Sequence, residues 1–246
     1  MTDGLLLIHA FPVDAGMWPG QVATFSGRVP VVAPHLPGFG GTAPAGDVMT
    51  MRVAAVRCLE ALDGAGVDRA VVCGLSMGGY VALELWRSAS ERLIGLVLAN
   101  TRAGADPDEA VATRTALAER LRAEGSTFLV QSPPPLLSDS APDELWDRVR
   151  SLIAAQPADA IAAAALGMAE RPDSTPDLPG IGVPTLVITS SGDTLIPSQA
   201  TEPMARQIPG AELAVIEDAG HLSNLEAPAR FDELLGAHLT RCGLPG

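Results

Sequence analysis

The sequence predicts an α/β fold: a mainly parallel six-stranded sheet flanked by helices, with a helical lid inserted before the penultimate strand. Three observations carry this. Short apolar runs of strand length alternate with amphipathic runs of helical length, which is how a parallel sheet covered by helices is written in sequence. The strand-like runs stop between Arg102 and Pro184, where only helical stretches and proline-rich joints occur, and resume directly afterwards. Finally, Gly74-Leu75-Ser76-Met77-Gly78-Gly79 joins a strand-like run to a helical one, the setting of a sharp strand-to-helix turn.

In chain order, strands are expected at Leu5–His9, Val29–Ala33, Arg69–Cys73, Leu93–Ala99, Thr185–Thr189 and Glu212–Ile216. Helices are expected near Gly20–Phe25, Met51–Ala65, Gly78–Ser88, Ser198–Gln207 and Ala229–Thr240. Thr50 suits the N-cap of the second helix and Gly66 its stop. Between the fourth and fifth strands, helices are expected near Glu109–Glu124, Pro142–Ala155 and Ala158–Ala169, joined by Pro133-Pro134-Pro135 and a loop from Pro172 to Pro179. The expected division is residues 1–102 and 184–246 as core and 103–183 as lid. A separate helical domain is the weaker alternative, because only some 80 residues are available and the sheet resumes at once.

Composition narrows the function classes. With 47% hydrophobic and 18% charged residues, the 246-residue chain can bury a substantial core. A net charge of −13 argues against nucleic acid and against anionic membranes. All 16 basic residues are arginine, so lysine Schiff-base chemistry and a Walker phosphate loop are excluded. Cys58, Cys73 and Cys242 form no C-x-x-C pair, and the four histidines show no H-E-x-x-H spacing, so no metal or other cofactor is expected. The start of the chain reads as a strand rather than a leader, and a cytoplasmic protein with a small-molecule partner is the expectation, as monomer or homodimer.

Ser76, flanked by Gly74 and Gly78, is the candidate nucleophile. A serine hydroxyl at neutral pH needs an adjacent base, and that base needs an orienting acid. His221, in a loop just past the last strand, is the candidate base. His9 ends the first strand, His35 lies in the loop after the second, and His238 sits in the last helix. Asp193, directly after the fifth strand, is the candidate acid; the rival position after the fourth strand holds Asn100 and Thr101. The amides of Met77 and Phe11 are the candidate oxyanion donors, since Pro12 has no N–H and Ala10 lies close to the strand end. Phe11 could equally be a pocket wall. Arg102, at the root of the lid, is a candidate anchor for a substrate carboxylate. Met17, Trp18, Trp146 and Met168 are candidate pocket residues, with helix packing the alternative for Trp146 and Met168.

These segments resemble the α/β-hydrolase superfamily over essentially the whole chain. His9-Ala10-Phe11-Pro12 is similar to its HG-x-P loop and Gly74–Gly79 to its nucleophile elbow. The Pro34–Thr42 loop is similar to its D-x-x-G-x-G-x-S segment, while Gly192–Pro197 and Gly220–Pro228 resemble its acid and histidine segments. The order Ser, Asp, His fits the same family. The elbow and lid are most similar to the 3-oxoadipate enol-lactonase and small-esterase branch. Two departures stand out: Ala10 replaces a glycine, and His35 replaces an aspartate, putting a structural salt link there in doubt. The chain begins at what resembles the family's third strand, which implies a sheet edge at Val29–Ala33 blunted by Pro30 and Pro34.

The resemblance implies a serine hydrolase that cleaves a small carboxylic ester or lactone. A serine at the nucleophile position argues against dehalogenase and epoxide-hydrolase chemistry. The same residues leave open thioester or C–C bond hydrolysis, perhydrolysis, acyl transfer or cyclisation on a natural product, and a ligand sensor without turnover.

Overall fold

The computed structural model describes all residues, Met1–Gly246. Its strands β1 (Asp3–Ile8), β2 (Val31–Val32), β3 (Arg69–Leu75), β4 (Leu93–Ala99), β5 (Thr185–Ser190) and β6 (Glu212–Ile216) form one sheet in the order β2-β1-β3-β4-β5-β6. Every neighbouring pair is parallel. The helices outside the insertion are α1 (Pro19–Phe25), α2 (Met51–Gly64), α3 (Met77–Ala89), α8 (Ser198–Gln207), α9 (Ser223–Glu226) and α10 (Pro228–Arg241). No single helix is long and apolar enough to cross a membrane.

The central strands are apolar throughout because both of their faces are covered. Leu5–Ile8 of β1 and Ala70–Leu75 of β3 are buried without interruption. β1 begins two residues before its expected start because Asp3 pairs in register with Arg69, whose guanidinium also holds the Asp3 carboxylate through two hydrogen bonds of 3.0 and 2.8 Å. β2 is the expected edge but keeps only two ladder residues, Val31 and Val32. Pro30 and Pro34 bound it, and proline has no N–H to extend the ladder. As expected, the Thr50 hydroxyl caps α2, accepting from the Val53 amide at 3.2 Å, and Gly66 takes a left-handed φ of 67° beyond its end.

Between β4 and β5 lie α4 (Asp108–Glu124), α5 (Thr127–Gln131), α6 (Asp143–Ala154) and α7 (Ala158–Ala169). α4 packs on α7 and α5 on α6. The short α5 and α9 were not expected; four or five residues are too few to show a helical period. The insertion shares the sheet's core: Val149, Ile153, Ile161 and Met168 belong to the same buried apolar cluster as the strands. α7 is seated directly on the chain before α2. The Met49 amide donates to the Ala163 carbonyl at 3.0 Å, and a Cβ on Gly167 would stand 1.8 Å from the Met49 carbonyl oxygen.

Candidate active site

The sheet's polarity gathers the candidate residues. Ser76, Asn100 and Asp193 follow the carboxyl ends of β3, β4 and β5, and His221 lies in the loop after β6. Ser76 itself stands at φ 55° and ψ −116°, a conformation that side chains rarely adopt and that tends to occur where a site requires it. The turn closes only around small residues. A Cβ on Gly74 would lie 2.1 Å from the Gly78 carbonyl oxygen, and one on Gly78 would lie 2.1 Å from that of Ile8. The Ser76 amide donates to the Ala99 carbonyl at 2.9 Å and the Thr101 hydroxyl to the Ser76 carbonyl at 2.8 Å, which ties the elbow to β4.

Asp193 is fully engaged. Its Oδ1 accepts from the amides of Leu195 (3.0 Å) and Ile196 (2.9 Å), and its Oδ2 accepts from Asn100 Nδ2 at 2.9 Å. The same Oδ2 lies 2.8 Å from His221 Nδ1, and both side chains are wholly buried. Burial favours the neutral acid, but the His221 contact, the Ile196 amide and Asn100 outweigh it and hold the carboxyl below its ordinary range. With the proton of Nδ1 donated to Asp193, Nε2 of His221 is the basic nitrogen. It is buried and has no hydrogen-bond partner; no bond joins it to Ser76 Oγ in this structure. Catalytic hydrogen bonds are often unmade before substrate binds.

Two residues of this network were not singled out as contributors from sequence. Asn100, buried and at φ 46°, donates to both Asp193 and Ser190 Oγ (3.0 Å), while its Oδ1 accepts from Ser223 Oγ at 2.7 Å. Glu226 braces the histidine loop. Its Oε2 accepts from the amides of Gly220 (2.7 Å) and Ser138 (3.0 Å), and its Oε1 from the Ser138 hydroxyl at 2.5 Å. The Leu222 amide donates to the Leu136 carbonyl at 2.8 Å, so the chain leaving α5 and the histidine loop are tied twice. Neither residue sits in a periodic pattern; the sequence signals were the strand-end position of Asn100 and the place of Glu226 in the Gly220–Pro228 segment.

The oxyanion candidates sort themselves by their amides. The Ala10 amide is turned to the Met17 sulfur at 3.2 Å, whereas the Phe11 amide, outside any helix or strand, donates to no acceptor in the chain. The Met77 amide is the first of α3, where a helix leaves its N–H groups without a partner in the preceding turn and carries the positive end of its dipole.

The other histidines serve structure. His9 is buried against Phe39; its Nε2 accepts from the Leu36 amide at 3.1 Å and its Nδ1 faces the Ala10 carbonyl at 3.0 Å. Burial pushes it down to about 4. His238 is likewise pushed down to about 4, by burial and by Arg241. His35, in the aspartate's place, lies 3.6 Å from Asp14, and its ring fills the space that a Cβ on Gly40 would take. No group of three or more His, Cys, Asp or Glu side chains is placed to hold a metal ion.

A cavity of about 500 Å³ opens over Ser76. The core contributes Phe11, Tyr80, Leu195 and Ile196, and α4 contributes a stripe of Ala110, Thr113, Arg114 and Leu117. Of the candidate contact residues, Arg102 and Met168 line it, Met168 being also 2% exposed in the shared core. Trp18 and Trp146 do not. Trp18 is fully buried against Phe231 of α10, with ring centroids 5.9 Å apart, and Met17 is buried beside it. Trp146 is on α6, whose packing partner is α5, and carries Arg150 over its ring at 5.8 Å. Proximity in sequence to the Phe11 loop or the lid does not fix the face on which an aromatic ring falls.

The profile of a family described as the alpha/beta hydrolase family matches residues 5–234. The chain is 30% identical over 240 residues to 3-oxoadipate enol-lactonase 1 of Acinetobacter baylyi, covering 95% of this chain and 87% of that one. It superposes on a malate-bound thermophilic esterase from Thermogutta terrifontis with a TM-score of 0.92 and 40% identity, covering 98% and 92% of the two chains. The enol-lactonase from Burkholderia xenovorans LB400 gives a TM-score of 0.87 at 27% identity, with coverage of 98% and 92%.

Proposed function

This chain belongs to the α/β-hydrolase family, and from that premise we propose that it cleaves a small carboxylic ester or lactone through an acyl-enzyme on Ser76. With esterases and enol-lactonases as its relatives, it is an ester or lactone hydrolase. The observation that supports the serine mechanism is the buried 2.8 Å contact between His221 Nδ1 and an ionised, fully hydrogen-bonded Asp193, at the same carboxyl edge of the sheet as a serine held in a strained turn.

The chemistry follows from those positions. Ser76 Oγ attacks the carbonyl carbon while His221 Nε2 takes its proton, and Asp193 stabilises the imidazolium that forms. The developing oxyanion lies between the amides of Phe11 and Met77, whose dipoles are fixed before reaction begins. Collapse expels the alkoxide, which takes the proton from Nε2 and leaves as the alcohol. A water then gives its proton to Nε2 and attacks the acyl group. On collapse the Ser76 Oγ–acyl bond breaks, Oγ takes the proton back from Nε2, and the carboxylic acid is released. For a lactone, alcohol and acid are the two ends of one product.

Ser76→Ala is expected to lower turnover of p-nitrophenyl acetate by about 10⁴-fold or more and to abolish labelling by a fluorophosphonate. Turnover that survives the substitution would refute the assignment. Labelling of the wild-type serine with no turnover across esters, lactones and thioesters would instead indicate a sensor.

A further inference from the structure

We propose that the lid-root wall of this cavity, through Arg102 and Arg114, binds a carboxylate carried by the substrate, so that the preferred substrate is a mono-anionic ester or lactone. This rests on the Ser76 hydrolase reading for the reaction, but the anion site stands on its own geometry.

Three guanidinium groups converge on one carboxylate. Asp106, its side chain wholly buried, accepts from Arg171 Nη2 at 2.9 Å, from Arg114 Nε at 2.6 Å and from Arg102 Nη2. Burial disfavours its charge, yet Arg171 and Arg114 hold it ionised, well below the ordinary carboxylate range. One negative charge therefore faces three positive ones. Arg171 is spent inside the fold: it also donates to the Met168 and Gly104 carbonyls and stacks on the Tyr80 ring at 4.0 Å. Arg102 and Arg114 are not. Both line the cavity, with side chains 31% and 22% exposed, and each engages the protein only through Asp106. Arg102 Nε is buried with no acceptor at all. The one acid in the lining, Glu109, is exposed and joins no ion pair, so the wall keeps a net positive charge in a chain whose total is −13.

Fastening the lid root to β4 would need one arginine on Asp106. It does not account for a second and third cation, nor for two arginine side chains placed along a cavity with largely apolar lining. A partly desolvated guanidinium that shares its one carboxylate with two others is only partly compensated, and its planar donors match a further carboxylate. Arg102 and Arg114 line the same cavity as Ser76, so one substrate can meet both.

The test compares monoethyl adipate with ethyl hexanoate, which differ in one terminal carboxylate, by pH-stat near neutral pH. The wild type is expected to favour the anionic ester by about tenfold or more in kcat/KM, with the preference carried by KM. Raising NaCl to about 0.5 M should erode that preference. Arg102→Gln and Arg114→Gln should each lower the anionic-to-neutral ratio by about tenfold, and Arg102→Lys should restore part of it. Calorimetric binding of monoethyl adipate to Ser76→Ala protein, weakened by adding Arg102→Gln, gives a readout free of turnover. Hydrolysis of both esters without discrimination overturns the anion site and leaves the hydrolase intact. Charge-selective binding without hydrolysis supports the anion site and removes the Ser76 reading. If a variant loses its circular dichroism spectrum, the wild-type preference and its salt dependence decide. A wild type that favours the neutral ester, or that neither binds nor cleaves the anionic one, overturns the proposal.

Discussion

At the scale of single residues, the site is a set of polar atoms with almost no slack. Asp193 uses both oxygens, and Asn100 shares Oδ2 with His221. Asn100 favours the ionised acid, so removing it should raise the Asp193 pKa. Asn100→Ala is expected to lower kcat/KM by about tenfold, the scale of a hydrogen bond to a charged group, and to move the acid limb of its pH profile upward. A profile that keeps its acid limb would show that Asn100 only fills space. The contact between Asp193 and His221 and the turn at Ser76 were legible in sequence because each residue follows a strand-like run, buried in β3 and β5 and largely exposed in β6. Asn100 was read merely as not an acid. Its partners lie 90, 93 and 123 positions away, and nothing local announces them.

At the scale of elements, the sequence was most legible where local residue pattern itself sets the limits. β4, β6, α7 and α8 have the expected limits. Where tertiary pairing sets the boundary, as at β1 and β2, local pattern misplaces it by a residue or two. The bracing of the histidine loop was out of reach for the same reason, since it depends on α9 meeting the chain after α5. Glu226→Ala would leave the Gly220 and Ser138 amides and the Ser138 hydroxyl without their acceptor. At about 1–3 kcal/mol for each buried donor left unmade, the variant should melt several degrees lower. With His221 less well held, kcat should fall by about tenfold while KM changes little. A melting temperature that drops with kcat untouched would confine Glu226 to stability.

At the scale of the whole molecule, sheet and insertion share one core, and buried titratable groups set the pH range over which it holds. His9 and His238 lie at about 4 in the fold against an ordinary value near 6.5. The unfolded chain therefore binds more protons than the native one between those limits. Stability is fully present above pH 6.5 and is lost as pH falls toward 4, by up to about 3 kcal/mol for each histidine. Asp106 and Asp193, both shifted down, add to the loss at lower pH still. Urea unfolding followed through the fluorescence of Trp18, Trp86 and Trp146 at several pH values checks this; stability that stays level from pH 6.5 to 4 would contradict it. The stripe of α4 over Ser76 has a different consequence. α4 fully buries only Ala118 and Leu121 and packs chiefly on α7, yet Ala110, Thr113 and Leu117 shape the cavity wall. Part of the cavity wall is thus written on a helix that carries neither Ser76, Asp193 nor His221 and does not close the sheet. A lineage can drift to new esters, or a small combinatorial library can recut the wall, by changing three exposed or half-exposed positions and leaving the chemistry as it stands.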